Sequence, residues 1–328
     1  MRVLVTGGTG YVGSALVPRL AKRYEVRTLD TQNFGAPEAI AGVERIVGDV
    51  TDNDTVAEAL KDCTHVVHLA GVVTDDLVDL NPAYGAKVNE NATADLLRLA
   101  EQAGVARFVL ASSSSIYGST DTPVDETAVP APETAYAAQK LEGDRLVLAH
   151  KGKMVTTALR LATMCGPAPR MRLDTIVNVF SKQAFYDGVI GVHDGKQVRS
   201  NVHVTDACHA FLRVLTAGWG LVGGRAFNVS DTPMTAMEIA SLVRAAASSA
   251  LGKDVSIEVD ATKVDKRMYR MSAGRIADLL HWQPLNGIEG AVLNNFHHFA
   301  SGEIKDPNAD LYYNTARMRD VVMGDGAS

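Results

Sequence analysis

Short apolar runs alternate with amphipathic stretches along the first half of the chain. The apolar runs are typical of buried strands and cover residues 3–5, 24–29, 43–47, 65–69, 105–111 and 155–161. The stretches between them have the apolar spacing of helices, at residues 14–22, 51–61, 86–102 and 136–150. This order of strand and helix predicts an α/β fold with a doubly wound parallel sheet and right-handed crossovers.

The second half of the chain follows a less regular pattern. Strands are expected at residues 198–204, 227–229 and 255–259, and helices at residues 173–183, 205–216, 235–251 and 273–280. This mixture predicts a smaller mixed α/β lobe. We therefore divide the chain into a first domain, residues 1–163, and a second lobe, residues 164–328, from which about 198–229 returns to pack on the first. Residues 72–84 are expected to form a loop, and the tail from about Ile304 a loose terminus.

Three glycines follow the first predicted strand: Gly7, Gly10 and Gly13. At Gly7 and Gly10 we expect backbone angles that other residues avoid, and a close approach of the main chain to a ligand. Gly13 would let the next helix pack tightly on the strand. Tyr11 and Val12 begin that helix, where free N–H groups and the positive end of the helix dipole favour a phosphate. A strand, a glycine turn and a helix in this order predict the dinucleotide site of a Rossmann fold.

An acid at the end of the second strand indicates which dinucleotide binds. Asp30 follows the glycines by about 20 residues, where a carboxylate accepts hydrogen bonds from the adenosine ribose and repels a 2′-phosphate. NAD is therefore favoured over NADP. Asp49 follows the third strand, where two roles are open: a cap for the next helix, or a hydrogen bond to the adenine amine. After the fourth strand, the small residues Ala70 and Gly71 leave room for a flat cofactor.

A candidate catalytic group follows the fifth strand. Ligands of open parallel sheets sit beyond the carboxyl ends of the strands, and there the chain has a serine cluster, residues 112–115. Tyr136 and Lys140 then lie one helical turn apart on one face. A phenol titrates near pH 10, and we expect the lysine ammonium to favour the phenolate, so that Tyr136 removes a proton from a carbinol. The alternative is an ordinary helix pair without a chemical role.

Composition and charge exclude several classes of protein. Of 328 residues, 46% are hydrophobic and 21% charged, as in globular proteins, and the net charge of -6 argues against a nucleic-acid partner. We expect no membrane span, because no apolar run reaches about 18 residues, and no signal peptide, because Met1 leads directly into a strand. Three widely spaced cysteines favour reduced thiols in the cytoplasm. His297 and His298 lack partners at metal-binding spacing, so no metal is expected.

These motifs together resemble those of one family. The chain is similar to extended short-chain dehydrogenase/reductases of the NAD-dependent epimerase/dehydratase family, which act on nucleotide sugars, over nearly all of its length except the tail. The resemblance rests on residues 6–13, 48–50, 68–71, 112–118, 159–160, 166–167, 198–199, 202–206 and 227–229, with Asp30, Val88, Asn89, Tyr136 and Lys140. Periodicity alone would place Asn89 on a solvated helix face, whereas the resemblance gives it a structural position near the site.

The resemblance implies a cofactor, partners and site residues. The cofactor would be NAD, the substrate a nucleotide sugar, and the protein a homodimer formed through helices 86–102 and 136–150. The implied catalytic residues are Ser113, Tyr136 and Lys140. The implied cofactor contacts are Gly7, Gly10, Tyr11, Val12, Gly13, Asp30, Asp49, Val50, Leu69, Ala70, Gly71, Tyr136 and Lys140. The implied substrate contacts are Ser113, Ser114, Asn178, Arg199 (at the diphosphate), Asp265 and Arg267.

The residues after Ser113 narrow the reaction that the resemblance implies. Dehydratases of this family have an Asp-Glu pair where this chain has Ser114 and Ser115, which cannot serve as general acid and base. Ser115 also differs from the glutamate of uronate decarboxylases and the cysteine of deoxyhexose epimerase-reductases. What remains is 4-epimerisation of a nucleotide hexose with tightly held NAD, or reduction of a 4-keto sugar by exchangeable cofactor. A dinucleotide-sensing protein without turnover is the alternative of another class.

Two departures from the family pattern bear on the substrate. Thr163 stands where UDP-galactose 4-epimerases have an asparagine that meets the diphosphate, and Arg170 or Arg172 could replace it. The segment after Gly71 lacks the usual lysine and contains three acids: Asp75, Asp76 and Asp79. If these acids line the sugar pocket, they repel a uronate and favour a neutral or amino sugar. The alternative is that they face solvent.

Overall fold

A parallel sheet of seven strands forms the centre of the molecule in the computed structural model, which describes residues 1–35, 37–262 and 268–324. In chain order the strands are β1 (Arg2–Thr6), β2 (Glu25–Asp30), β3 (Val43–Val47), β4 (His65–His68), β5 (Arg107–Ser113), β6 (Val155–Leu161) and β7 (Arg225–Val229). Their order across the sheet is β7-β6-β5-β4-β1-β2-β3, and neighbouring strands run parallel. The predicted doubly wound α/β fold is confirmed.

The direction of winding reverses beside β1. The chain moves outward from β1 to β2 and β3, then returns to β4 on the other side of β1 and continues through β5 and β6. This leaves a crevice beyond the carboxyl ends of β1 and β4, where open α/β sheets bind their ligands. The glycine turn follows β1, and the segment 69–71 follows β4.

Helices cover both faces of the sheet and form most of the second lobe. They are α1 (Tyr11–Ala21), α2 (Asn53–Leu60), α3 (Asp75–Leu80), α4 (Pro82–Ala86), α5 (Ala92–Gln102), α6 (Ala135–Ala149), α7 (Ile176–Lys182), α8 (Val204–Thr216), α9 (Trp219–Val222), α10 (Ala236–Leu251), α11 (Gly274–Leu280), α12 (Gly287–Ala300) and α13 (Asn314–Gly324). Leu16 and Phe211 belong to the apolar cluster on one face of the sheet, and Leu60 and Leu96 to that on the other. A third cluster, around Phe296, forms the core of the second lobe. Within the described ranges, every helix is too short or too polar to cross a bilayer.

Residues of the second half complete the sheet. β7 pairs with β6 from Arg225 opposite Thr157 to Val229 opposite Leu161, and α8 packs beside α1. The expected strand 198–204 is divided, because Val198–Arg199 pairs with Met234–Thr235 while Asn201–His203 pairs with Thr163–Cys165. A further parallel pair joins Val189–His193 to Ser256–Asp260. The boundary near residue 163 stays a prediction.

Residues 72–84 contain two short helices, so the expected loop is wrong. Thr74 caps α3 by accepting a hydrogen bond from Leu77 N at 3.4 Å, and Asn81 caps α4 by accepting one from Tyr84 N at 3.0 Å. Pro82 stands in the first turn of α4, where its missing N–H costs nothing. Capping residues rather than apolar periodicity therefore specify these helices.

The tail is also helical, against the expected loose terminus. A 3₁₀ turn, Asp310–Tyr312, leads into α13, and Val322 of that helix is fully buried with Leu77 and Val78 of α3. Met318 lies one turn before Val322 and packs on the same cluster. Burial of this apolar pair holds the helix against α3.

The predicted helix 86–102 begins with a π-helical turn, Lys87–Asn91, which leads into α5. Such turns are frequent at functional sites. Asn89 lies in this turn and is buried, so its placement on a solvated face is wrong.

Candidate active site

A cavity of about 540 Å³ lies beyond the carboxyl ends of the strands, at the reversal beside β1. Its volume is that of a small-molecule site. The predicted site residues that line it are Gly7, Gly10, Tyr11, Val12, Gly13, Asp30, Asp49, Val50, Leu69, Ala70, Gly71, Ser113, Ser114, Tyr136, Lys140 and Arg199. Asp265 and Arg267 lie outside the described residues.

The glycine turn packs closely against the segment that follows β4. Gly7 has φ of +71°, and a Cβ there would lie 2.7 Å from Ala70 N. A Cβ at Gly13 would lie 2.2 Å from Gly7 O, so only glycine lets α1 begin this close to β1. Gly10 has φ of −71° and ψ of −175°, an extended conformation open to any residue, so the unusual angles expected there are wrong. A Cβ at Gly10 would lie 3.3 Å from Gly7 O, a tight contact that a small shift could relieve.

The first turn of α1 borders the cavity with Tyr11, Val12 and Gly13. In the described part of the chain, no side chain caps this helix at Gly10, and its first turn contains no acid. Its first N–H groups and the positive end of its dipole are therefore left for an anion from outside the chain. This turn fits the diphosphate of a dinucleotide.

Two carboxylates border the same cavity near the ends of β2 and β3. Asp30 accepts hydrogen bonds from Thr9 N at 2.9 Å and Gln32 N at 2.7 Å, which fix its position beside the glycine turn. Asp49 accepts one from Thr51 N at 2.8 Å, but the residue that caps α2 is Asp52. The capping role that was open for Asp49 is therefore wrong, and its contact with adenine stays a prediction.

Ser113, Tyr136 and Lys140 meet on the wall of the cavity. Tyr136 and Lys140 lie one turn apart on α6, and a hydrogen bond joins the Tyr136 phenol to Ser113. Lys140 Nζ donates to Ala111 O of β5 at 2.5 Å, while the hydroxyl oxygens of Ser113 and Ser115 are 2.8 Å apart. The structure thus brings together the end of β5 and the first turns of α6.

Burial dominates the protonation of this group. It raises the pKa of Tyr136 to about 12, although the hydrogen bond with Ser113 and the Arg172 guanidinium act in the opposite direction. Burial also lowers the pKa of Lys140 to about 8. In the chain alone the effect of burial thus exceeds the effects that favour the phenolate, and the expected effect of the Lys140 ammonium stays a prediction.

Asn89 forms hydrogen bonds with the segment that follows β4 and with α6. Its Oδ1 accepts a hydrogen bond from Val72 N at 2.9 Å, and its Nδ2 donates to Val72 O at 2.9 Å and to Gln139 Oε1 at 3.0 Å. Because Gln139 lies between Tyr136 and Lys140 in α6, this amide connects two walls of the cavity. Asn89 holds a position near the site without lining it.

The residues expected at the substrate diphosphate separate into two groups. Arg199 and Arg172 line the cavity: the Arg199 guanidinium lies 5.4 Å from the centre of the Tyr269 ring, and Arg172 Nε donates to Asp174 Oδ1 at 2.8 Å. Arg170 does not line it, because its guanidinium stacks at 3.8 Å on the ring of Phe34. Of the two arginines considered as substitutes for the missing asparagine, only Arg172 lines the cavity.

Asn178 lies behind the cavity wall, which corrects its expected contact with the nucleotide. It is fully buried, and its Nδ2 donates to Tyr11 Oη at 3.1 Å and Arg172 O at 2.8 Å. Its Oδ1 accepts hydrogen bonds from Gly166 N and from Asn295 Nδ2, each at 2.9 Å. Asn178 therefore positions Tyr11 and Arg172, which do line the cavity.

Two of the three acids after Gly71 border the cavity, but only one of them is partly buried there. Asp75 is half-buried in the wall, Asp76 borders the cavity and is exposed, and Asp79 is exposed on α3. Asp75 Oδ1 accepts a hydrogen bond from Thr134 Oγ1 at 2.7 Å, and its charge contributes to the raised pKa of Tyr136.

Sequence reasoning missed several residues of the wall, among them Thr175, Tyr269, Asn314 and Met318. The hydroxyls of Thr175 and Ser112 are buried, and neither has a hydrogen-bond partner among the described residues. Nothing in the local sequence marks Thr175 or Tyr269. The spacing of Met318 and Val322 is a helix signal that would have placed the tail.

A glycine turn, an uncapped helix N-terminus and an acid after β2, with a Ser-Tyr-Lys group beside them, define a Rossmann-type, dinucleotide-dependent enzyme class. The chain belongs to the NAD-dependent epimerase/dehydratase family, whose profile matches residues 3–230. The predicted family membership is thus confirmed, and with it NAD as the cofactor. The residues that would hold NAD are those of the glycine turn, the start of α1 and Asp30.

Relatives of known activity catalyse different reactions. The chain is 29% identical over 314 residues to the UDP-glucose 4-epimerase of Mycolicibacterium smegmatis, which covers 91% of this chain and 98% of the relative. It is 29% identical over 264 residues to the dTDP-glucose 4,6-dehydratase of Streptomyces niveus, covering 74% of this chain and 76% of that one. A solved structure, MoeE5 in complex with UDP-glucuronic acid and NAD, superposes with a TM-score of 0.81 at 25% identity and covers 92% of this chain and 100% of its own.

Proposed function

We propose that this protein is a nucleotide-sugar epimerase that inverts C4 of a neutral or amino hexose carried on UDP or another nucleoside diphosphate. The observation that supports it most is the meeting of Ser113, Tyr136 and Lys140 on the wall of the cavity that the glycine turn also borders. Reversible oxidation at one carbon needs a proton acceptor, a hydroxyl that orients the alcohol and a cofactor. These side chains supply the first two.

In the proposed mechanism, Tyr136 accepts the proton of the sugar 4-hydroxyl while Ser113 hydrogen-bonds the same oxygen. NAD, held by the glycine turn, the start of α1 and Asp30, would supply reversible hydride transfer at C4, and its positive charge would favour the Tyr136 phenolate. After the 4-keto sugar turns over in the cavity, Tyr136 gives the proton back to the oxygen, and C4 has the opposite configuration.

Ser114 and Ser115 argue against dehydration. Both are buried in the cavity wall, and the Ser115 hydroxyl lies 2.8 Å from that of Ser113. Loss of the sugar 6-hydroxyl needs an acid and a base that titrate near neutral pH, and a serine hydroxyl does not. The positions after Ser113 therefore favour a reaction that ends with the sugar intact.

Charges around the phenol support a neutral or amino sugar. Asp75 and Asp76 line the cavity, and the Arg172 guanidinium is paired with Asp174 at 2.8 Å. A uronate carboxylate would meet the half-buried Asp75 and an arginine that already has a partner. Solved structures of MoeE5 contain UDP-glucuronic acid in one case and UDP-glucose in another, whereas we expect this chain to favour the neutral sugar.

The test is to incubate the purified protein with UDP-glucose, UDP-N-acetylglucosamine, UDP-glucuronate and dTDP-, GDP- and CDP-hexoses, and to measure C4 epimers by NMR. We expect an epimer from a neutral or amino sugar without added NAD. Consumption of added NADH with a 4-keto sugar, and no epimer from any of these substrates, would instead make the protein a reductase. Binding of NAD without turnover of any of them would indicate a dinucleotide sensor.

We also propose a homodimer formed through α5 and α6, and a place in the cytoplasm. Partly exposed leucines on these helices, Leu99, Leu146 and Leu148, favour such a contact. The three cysteines, Cys63, Cys165 and Cys208, are buried free thiols, as expected in a reducing compartment. Sedimentation equilibrium of the purified protein tests the homodimer, and a monomer at all concentrations would exclude it.

A further inference from the structure

The C-terminal helix α13 touches three separate segments that border the cavity. At its start, Asn314 N donates to Asp174 Oδ2 at 2.8 Å, and Asn314 Oδ1 accepts a hydrogen bond from Arg170 Nη2 at 2.6 Å. One turn on, Arg317 Nε donates to Asn33 O at 2.6 Å, in the segment that follows β2. These contacts join the second lobe to the loop beside Asp30.

The far end of the helix is anchored on α3. Val322 is fully buried in the cluster that contains Leu77 and Val78, and its carbonyl accepts a hydrogen bond from Asn81 Nδ2 at 3.0 Å. Eleven helical residues span about 16 Å, so α13 bridges the loop beside Asp30, the second lobe and α3.

One face of α13 lines the cavity and the other faces solvent. Asn314 and Met318 are in the cavity wall, whereas Val321 and Met323 are 38% and 51% exposed. The loop that α13 holds also lines the cavity, through Asn33 and through Phe34, on which Arg170 stacks. The helix is thus a wall between the cavity and solvent, on the side of the cavity where Asp30 lies.

We propose that α13 is a clasp that completes the NAD site with Asn314 and Met318 and slows release of the cofactor. A ligand held between the glycine turn and Asp30 would lie under this helix, so it could leave only after Val322 withdraws from its apolar cluster and the hydrogen bonds to Asn33 and Asp174 break. The family profile ends at residue 230, so the clasp is a feature of this chain outside the matched region. Slow release of NAD suits an epimerase, because that reaction leaves the cofactor unchanged overall. The proposal itself rests only on NAD being the cofactor.

The test measures exchange of bound NAD in the absence of any sugar nucleotide. The full-length protein is loaded with radiolabelled NAD and diluted into excess unlabelled NAD, and the label retained is followed by rapid gel filtration. Val322→Asp places a charge in the apolar cluster and should unseat the helix, so we expect exchange at least tenfold faster than in the wild type. Val321→Asp, on the exposed face of the same helix, is the matched control and should exchange within twofold of the wild type.

A milder pair of substitutions keeps the test decisive if Val322→Asp does not fold. Asn314→Ala with Arg317→Ala removes the side-chain contacts to Arg170 and Asn33 but leaves the apolar anchor, and exchange should be at least threefold faster. Hydrogen exchange of the amides of residues 314–324 reports whether the helix has been released. A released helix with NAD exchange unchanged would overturn the proposal, as would equal acceleration by the control. A protein inactive toward every sugar but slow to exchange NAD would refute the epimerase and leave the clasp standing.

Discussion

At the scale of single residues, the Tyr136 phenol is partly buried on the cavity wall and hydrogen-bonds Ser113. Tyr136→Phe removes the proton acceptor without changing the shape of the cavity. We expect epimerisation to fall by about 10²–10⁴-fold, with NAD still bound. Tyr186→Phe, on a half-exposed ring outside the cavity wall, is the control and should retain full activity. Unchanged turnover in Tyr136→Phe, measured by NMR of the sugar, would remove the mechanism proposed above.

Asp75 makes the choice of sugar testable. Asp75→Asn removes a negative charge from the wall near the phenol while keeping the size of the side chain. The ratio of kcat/KM for UDP-glucuronate to that for UDP-glucose should rise about tenfold, which corresponds to about 1.4 kcal/mol. Asp79→Asn, an exposed change on the same helix, should leave the ratio as it is. If both variants give the ratio of the wild type, the acids do not select the sugar.

His68 predicts how stability depends on pH. The ring is buried between Thr6 Oγ1 at 2.7 Å and Thr93 Oγ1 at 3.0 Å, and burial lowers its pKa to about 3. An unfolded histidine takes up a proton near pH 6.5, so between pH 6.5 and 3 the unfolded state binds more protons and stability falls as pH falls.

The slope due to His68 alone is up to about 1.4 kcal/mol per pH unit. Urea unfolding at pH 7.5 and 5.5 measures it, and His68→Gln should lose less stability over this interval than the wild type. His281→Gln, at an exposed ring, should show the slope of the wild type. Equal slopes in the wild type and His68→Gln would contradict the prediction.

At the scale of elements, strands and the glycine turn could be predicted from the sequence because apolar runs and glycine spacing are local signals. All six strands expected in the first half form, and β5 and β6 are neighbours as the winding requires. The helices α3 and α4 could not be found by periodicity, since they have six and five residues and depend on the caps at Thr74 and Asn81. The burial of Asn89 depends on Gln139, fifty positions away, which no local pattern reveals.

The start of α1 has no room for one added methyl group. Gly13→Ala would place a Cβ 2.2 Å from Gly7 O. The backbone of the glycine turn must therefore move, which should lower the free energy of unfolding by about 1–3 kcal/mol. We expect a lower melting temperature and at least tenfold weaker NAD binding by fluorescence titration. Gly290→Ala, in α12, meets its nearest neighbour at 3.5 Å and should raise stability slightly. NAD affinity within twofold of the wild type in Gly13→Ala would contradict the tight fit.

At the scale of the whole molecule, a buried polar network joins the two halves of the chain. Arg160 of β6 donates to Asp144 of α6 at 2.7 Å and to Tyr117 Oη at 2.7 Å, and Tyr117 donates to Asn228 of β7 at 2.8 Å. The network therefore connects the 3₁₀ turn that follows Ser113 with the strand contributed by the second half.

Breaking this network should destabilise the protein far more than breaking a surface pair. Asp144→Asn leaves Arg160 with a buried, uncompensated charge and should cost about 3–5 kcal/mol. Glu142→Gln, whose partner Arg145 is 4.0 Å away at the surface, should cost less than about 1 kcal/mol. Urea unfolding of the two variants measures the difference; similar midpoints would mean that the buried pair contributes little.

The position of β7 also constrains how the polypeptide reaches its native state during synthesis. β6 is almost wholly buried, yet its outer neighbour emerges from the ribosome only after the intervening residues 162–224 have been made. Until then its edge offers unpaired backbone groups to any other extended chain. A nascent chain interrupted before residue 229 is therefore a candidate for chaperone capture, whereas one released after that point can cover the edge of β6 with β7.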